Sequence, residues 1–156
     1  MAVTTKRPLS IAVIHENVPE SHLPAYFNSC DCFVMPSHGE GQGGPAIQCM
    51  ALGKPLIAAP FMAARDYLVT PWKVDYSLEP VHNMNWNQLL HTTNAEWARL
   101  DISSLRKHMR SAYTMWRDNR NEWETLSRKC SNFIRDNYTY EVVGPQIRER
   151  ILQIRS

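Results

Sequence analysis

The segment from Asp31 to Ala59, DCFVMPSHGEGQGGPAIQCMALGKPLIAA, constrains the fold more than any other part of the chain. Cys32 to Met35 are apolar and suited to a β-strand, and Pro36-Ser37 end that run. The loop that follows carries Gly39, Gly41, Gly43 and Gly44 around one acid, Glu40, and one amide, Gln42. Pro45 suits the first turn of a helix, Ile47, Met50 and Ala51 recur at helical spacing, and Gly53 falls where a C-terminal cap belongs. After Lys54-Pro55 comes a second apolar strand, Leu56 to Ala59. The order strand, loop, helix, strand predicts an α/β scaffold, a parallel sheet flanked by helices.

This unit has a chemical consequence. A helix beginning near Gly44 aims unsatisfied N–H groups and the positive end of its dipole over the loop, and the natural guest of such a place is a phosphate. Glycine-rich loops also serve as plain tight turns, so the glycines alone leave structure and function open. Glu40 favours function. A carboxylate beside a phosphate site repels the ligand unless it acts on a non-phosphate part, such as a sugar hydroxyl.

At these residues the chain resembles the retaining nucleotide-sugar glycosyltransferases of the GT-B fold, the group 1 or family 4-like enzymes. Their pattern is an aspartate, an apolar strand, Pro-Ser, then E-G-x-G-x-P. A helix with a second Glu eight positions after the first follows, then A-x-G-x-P and another apolar strand. Here it is met by Asp31, Cys32 to Met35, Pro36-Ser37, Glu40-Gly41-Gln42-Gly43-Gly44-Pro45, Ala51, Gly53, Pro55 and Leu56-Ile57-Ala58, with Gln48 in place of the second Glu. The resemblance implies that Glu40 is the sugar-contacting catalytic carboxylate. Gln48 stands where the family's second Glu holds the nucleotide ribose. His38, Gly39, Gly41, Gln42, Gly43 and Gly44 are then expected to line the donor. No metal and no cofactor are implied, the nucleoside diphosphate sugar being the donor substrate. His38 also has a plain reading, as the filler of a tolerant loop position.

The likeness extends over about Ser10 to Leu152. Ser21 to Phe27 is similar to the short helix before the aspartate strand, and Arg65-Asp66-Tyr67-Leu68 to the segment after the second strand. Trp97 with Leu105 and Met109-Arg110 resembles a tryptophan followed by an L-x-x-x-M-R helix, and Tyr138 to Glu141 the start of the last helix. A GT-B enzyme has two Rossmann-like domains with its active site between them. Ahead of the loop this sequence of 156 residues holds one expected strand, Ile11 to His15, and one short helix. The resemblance thus implies a truncated donor-binding domain over residues 9–156 behind a flexible head, Met1 to Pro8. Lys6 and Arg7 do not fit the spacing of the family's diphosphate clamp. A chain supplying the other half, or a second copy, is the expected partner. The apolar face of the last helix, Val142, Val143, Ile147, Ile151 and Ile154, is the surface left for it.

Composition fits an ordinary globular domain, with 44% hydrophobic and 21% charged residues. A formal charge of +2, with bases and acids alternating along the C-terminal helices, reads as a solvated face and not as a nucleic-acid surface. No apolar run has the length of a membrane span and the N-terminus lacks the apolar core of a signal peptide, so a cytoplasmic location is expected, with peripheral membrane contact compatible. Cys30, Cys32, Cys49 and Cys130 lack zinc-site spacing and are expected as buried or semi-buried free thiols. His15, His22, His82, His91 and His108 form no spaced ligand pair.

Beyond Ala59 an irregular stretch is expected to about Asn94, then a helical tail with Asp101 as an N-cap and further helices over Arg120 to Asn137 and Glu141 to Ile154. Ile102, Leu105, Met109, Trp116, Trp123, Leu126, Cys130, Phe133 and Ile134 recur at helical steps and are expected in the core. Two functional classes follow. One is the nucleotide-sugar-binding part of a retaining glycosyltransferase, incomplete or inactive alone. The other is a non-catalytic binding or interaction module on a degenerate glycosyltransferase fold, to which the neutral Gln48 and the absent basic pair point. A response-regulator-like or flavodoxin-like domain is disfavoured by the low strand count before the loop.

Overall fold

The computed structural model describes residues 11–15, 17–82 and 95–155. A 3-10 turn, Glu20–His22, leads into α1 (Leu23–Asn28), followed by β1 (Phe33–Met35), α2 (Gly44–Ala51), β2 (Leu56–Ala58) and α3 (Ala64–Tyr67). Then come β3 (Tyr76–Pro80), β4 (Glu96–Leu100) and three helices, α4 (Ile102–Asp118), α5 (Arg120–Tyr138) and α6 (Tyr140–Arg155). The fold is α/β, a small parallel sheet flanked by helices, as the Asp31–Ala59 segment predicts.

β1 and β2 pair in parallel with Phe33 opposite Leu56, Val34 opposite Ile57 and Met35 opposite Ala58. On the far side of β2 the Val74 N–H donates to Ala58 O at 2.9 Å, extending the layer by one isolated bridge. Side chains alternate across this pair. Met35, Leu56 and Ala58 join Ala46, Met50, Tyr67, Cys130 and Ile134 in one core, with Phe33 packed against it. Ile57 joins Trp72, Val74, Ala112 and Trp123 in the other, with Cys32 and Val34 at its margin. Both faces are covered, which is why the two strands read as unbroken apolar runs.

The helix ends follow from the sequence. α2 closes in a Schellman motif: the Gly53 N–H donates to Met50 O and the Lys54 N–H to Cys49 O, both at 2.9 Å, with Gly53 at φ +74°. The Asp101 side chain accepts from the Ser103 and Ser104 amides at 2.7 and 3.2 Å and caps α4. Asn119, alone between α4 and α5, accepts from the Glu122 N–H while its amide donates to the Glu122 carboxylate, a reciprocal cap.

Four expectations are corrected. Ile11 to His15 form no strand and lie exposed, Ile11 at 77%, because no neighbouring strand among the described residues takes up their backbone groups. The stretch after Ala59 is not irregular throughout, nor is the chain after Asn94 wholly helical: β3 and β4 form an antiparallel pair, Tyr76 opposite Leu100 and Leu78 opposite Ala98. Ile102 and Met109 are exposed, since α4 turns Ser104, Leu105, Ala112, Met115 and Trp116 inward instead. Cys30 is exposed, while Cys32 is half-buried and Cys49 and Cys130 are buried. The head, Met1 to Pro8, and His91 lie outside the described residues. On α6 no residue is buried, Val142 and Val143 are half-buried, and Ile147, Ile151 and Ile154 are exposed. No helix among the described residues is long and apolar enough to cross a membrane.

Gly53 tests the cap. A Cβ there would meet the Ser127 hydroxyl oxygen at 3.2 Å in a left-handed backbone, and that hydroxyl donates to Gly53 O. Gly53→Ala is expected to cost about 1–2 kcal/mol of stability in a urea unfolding titration.

Candidate functional site

The loop of residues 36–43 leaves the carboxyl end of β1 and enters α2 through Gly43. Gly43 is the N-cap, at φ +75° and ψ +48°. A side chain there would be strained by the backbone and would also overlap the Tyr67 hydroxyl, with Met35 Cε 3.7 Å away. Gly39, Gly41 and Gly44 take no left-handed angles. Gly39 lies where a Cβ would meet Met62 Sδ at 3.0 Å, whereas Gly41 and Gly44 face open space. Met62 itself is left-handed at φ +49°, a rare conformation for a side-chain-bearing residue, on the rim beside Gly39.

No side chain caps α2. The Ala46 and Ile47 amides both return to Gly43 O, at 2.9 and 3.2 Å, and Pro45 has no N–H to offer. The Gly44 amide and the positive end of the helix dipole are therefore left without a capping side chain at the loop. Glu40 is half-buried and Gln42 exposed. Tyr67 is 1% exposed, its hydroxyl without a hydrogen-bond partner. Burial first, then the negative charge of Glu40 and the neighbouring Tyr138, push the Tyr67 phenol up to about 12.

His38 is committed elsewhere. Its Nδ1 hydrogen-bonds with Ala98 O at 2.7 Å, the Ala98 N–H donates back to His38 O at 2.9 Å, and its ring stacks on Trp97 with centroids 4.4 Å apart. The Trp97 indole N–H in turn donates to the Glu79 carboxylate at 3.0 Å. The first half of the loop is thereby clamped to the β3–β4 hairpin. One imidazole nitrogen, Nε2, is left over.

Gln48 lies one turn after Gly44, exposed, on nearly the same face of α2. With Glu20, Leu23, Pro24, Phe27, Ala51 and Leu52 it lines a cavity of about 290 Å³ between α1 and α2. Glu40, Gly41 and Gly43 lie on the loop that enters α2 and Gly44 opens the helix, whereas Gln48 faces the α1 side; His38, exposed on the same loop, anchors it to β4. Sequence reasoning did not single out Tyr67 as part of the site, because no spacing signal links a residue of α3 to Gly43. Among the described residues no group of three His, Cys, Asp or Glu side chains is placed to hold a metal ion.

Residues 6–78 match the family model described as Glycosyl transferases group 1. The match takes in α1, β1, the loop, α2 and β2 and ends within β3, a little under half of the chain. It supports a GT-B glycosyltransferase-like fragment and, at that coarse level, glycosyl transfer. No curated protein matches the chain.

The site generates two expectations. Gly43→Ala should cost about 2–4 kcal/mol, combining backbone strain with overpacking, and Gly43→Ala in a Tyr67→Phe background should recover part of that loss in the same unfolding assay. The thiols separate by environment: burial pushes Cys32 up to about 12 and Cys49 and Cys130 up to about 11, so all three are protonated thiols at pH 8. A chromogenic disulfide reagent at pH 8 should titrate one cysteine, Cys30, in the native chain and all four after unfolding.

Proposed function

We propose that the loop of residues 36–43 and the N-terminus of α2 form the donor half of a nucleotide-sugar site, used for transfer of a glycosyl group with retained anomeric configuration. The observation that carries this reading is the uncapped start of α2 with Glu40 placed just ahead of it: an anion-attracting helix end and a carboxylate, side by side on one loop. The Glycosyl transferases group 1 match over the same residues supports it.

The physical demand of the reaction is charge management. As the anomeric C–O bond breaks, negative charge grows on the β-phosphate and positive charge on the sugar ring. The Gly44 amide and the α2 dipole face the first. Glu40 hydrogen-bonds a sugar hydroxyl and steadies the second. Open space over Gly41 and Gly44 lets the diphosphate approach the backbone. Gln48 and the cavity between α1 and α2 seat the nucleoside, the Gln48 side-chain carbonyl accepting from a ribose hydroxyl. His38 holds the loop in register with β4. The acceptor is recognised elsewhere, by a partner chain or a second copy, for which the exposed Ile147, Ile151 and Ile154 on α6 offer a surface.

A second reading, a non-catalytic interaction module, is favoured by one observation: Gln48 is neutral where a charged acceptor would bind ribose more strongly. Calorimetric titration of the chain with UDP, GDP, ADP and their glucose or mannose conjugates separates the two. Binding of a nucleotide sugar that weakens roughly tenfold or more in Glu40→Ala and tightens several-fold in Gln48→Glu is the expected outcome. A folded chain that binds none of them leaves the interaction module.

A further inference from the structure

Tyr67, at the end of α3, carries a hydroxyl that is fully enclosed and unpaired. Orphaned buried donors are rare and cost stability, and phenylalanine would fill the same space without that cost. The hydroxyl sits against Gly43, so closely that a methyl group on Gly43 would overlap it. It therefore lies on the inner side of the Glu40 loop. Three residues upstream, the half-buried Glu40 carboxylate is held by no hydrogen bond among the described residues. Next to Glu40, a Cβ added at Gly41 would meet nothing within 4 Å. The upstream end of the loop is fixed to β4 through His38, two residues before Glu40.

An enclosed donor without an acceptor thus packs from α3 against the loop that carries a carboxylate without a donor. We infer that Tyr67 is the positioning residue for Glu40: when a donor sugar occupies the site, the loop turns so that one Glu40 oxygen accepts from the Tyr67 hydroxyl and the other faces the sugar. This rests on the donor-site reading above. A carboxylate has acceptor capacity for both bonds, and the phenol, raised to about 12, stays protonated and able to donate throughout the neutral range. Tyr67 does not touch the sugar. Its role is to fix which way the carboxylate points, which raises affinity by lowering the ordering cost of binding.

The test uses the full chain as wild type, Tyr67→Phe, Glu40→Gln and the double variant. Each is titrated with UDP-glucose, GDP-mannose and ADP-glucose and with the free diphosphates, and each is melted without ligand. Tyr67→Phe is expected to be as stable as wild type or more so, to bind the free diphosphate unchanged, and to bind the nucleotide sugar roughly ten- to hundredfold more weakly. In the Glu40→Gln background the Tyr67 substitution should add no further loss. An equal loss for diphosphate and nucleotide sugar, an undiminished loss in the Glu40→Gln background, or a lowered melting temperature would each show a packing role and overturn the inference. Wild-type binding with an unaffected Tyr67→Phe overturns this inference alone, whereas a wild type that binds neither diphosphate nor nucleotide sugar overturns the donor-site reading and this inference with it.

Discussion

The parallel pairing of β1 with β2 is the constraint on which the rest of the structure depends. Parallel neighbours cannot be joined by a tight turn, so the chain must leave the carboxyl end of β1, cross over, and re-enter at the amino end of β2. α2 is that crossover. Its N-terminus is consequently delivered to the carboxyl edge of the strands, where open parallel sheets bind ligands. The register is fixed by burial on both faces: a slip of one residue would exchange Leu56 and Ala58 with Ile57 between two cores of different shape. The position of the loop is thus a result of packing, independent of any ligand.

This dependence explains what could be read from the residues and what could not. From Asp31 to Ala59 every element is encoded locally, by an apolar run, a proline pair, a helical period and a glycine cap, and all appear in the structure. Ile11 to His15 has the same β-branched look, yet a strand is a relation between two segments, and propensity names only one of them. The β3–β4 hairpin was hidden for the complementary reason. Tyr76–Pro80 ends in a proline and carries Glu79 without clear alternation, and its partner Glu96–Leu100 lies far along the chain. On α4 the helical period is legible but its phase is not: the period expects Ile102 and Met109 inside, yet Ser104 takes the buried position. In the site, the glycines were visible as a group. That Gly43 alone answers to a backbone angle and to Tyr67 is a three-dimensional fact.

Electrostatics gives the loop its character. The end of α2 favours an anion and Glu40 beside it opposes one, so the proposed donor site suits a ligand that is negative at one end and hydroxyl-bearing at the other. A bare phosphate gains the dipole and suffers the carboxylate; a nucleotide sugar places different atoms against each. With Gln48 neutral, the second carboxylate that would add to the local negative charge is absent. In the proposed donor site its side-chain carbonyl would still offer an acceptor to a ribose hydroxyl, at lower strength and with less repulsion of a diphosphate.

The clamp between His38 and β4 extends the site beyond the family resemblance. The Glycosyl transferases group 1 match ends at Leu78, inside β3, whereas Trp97 and Ala98, which grip His38 by ring stacking and a reciprocal hydrogen-bond pair, lie outside it. Trp97 is itself held from β3 by Glu79. The loop is therefore tied to the hairpin through His38, while a Cβ at Gly41 would find open space, with Glu40 between the two. The hairpin thus anchors, through His38, a loop whose recognisable residues all belong to another part of the fold.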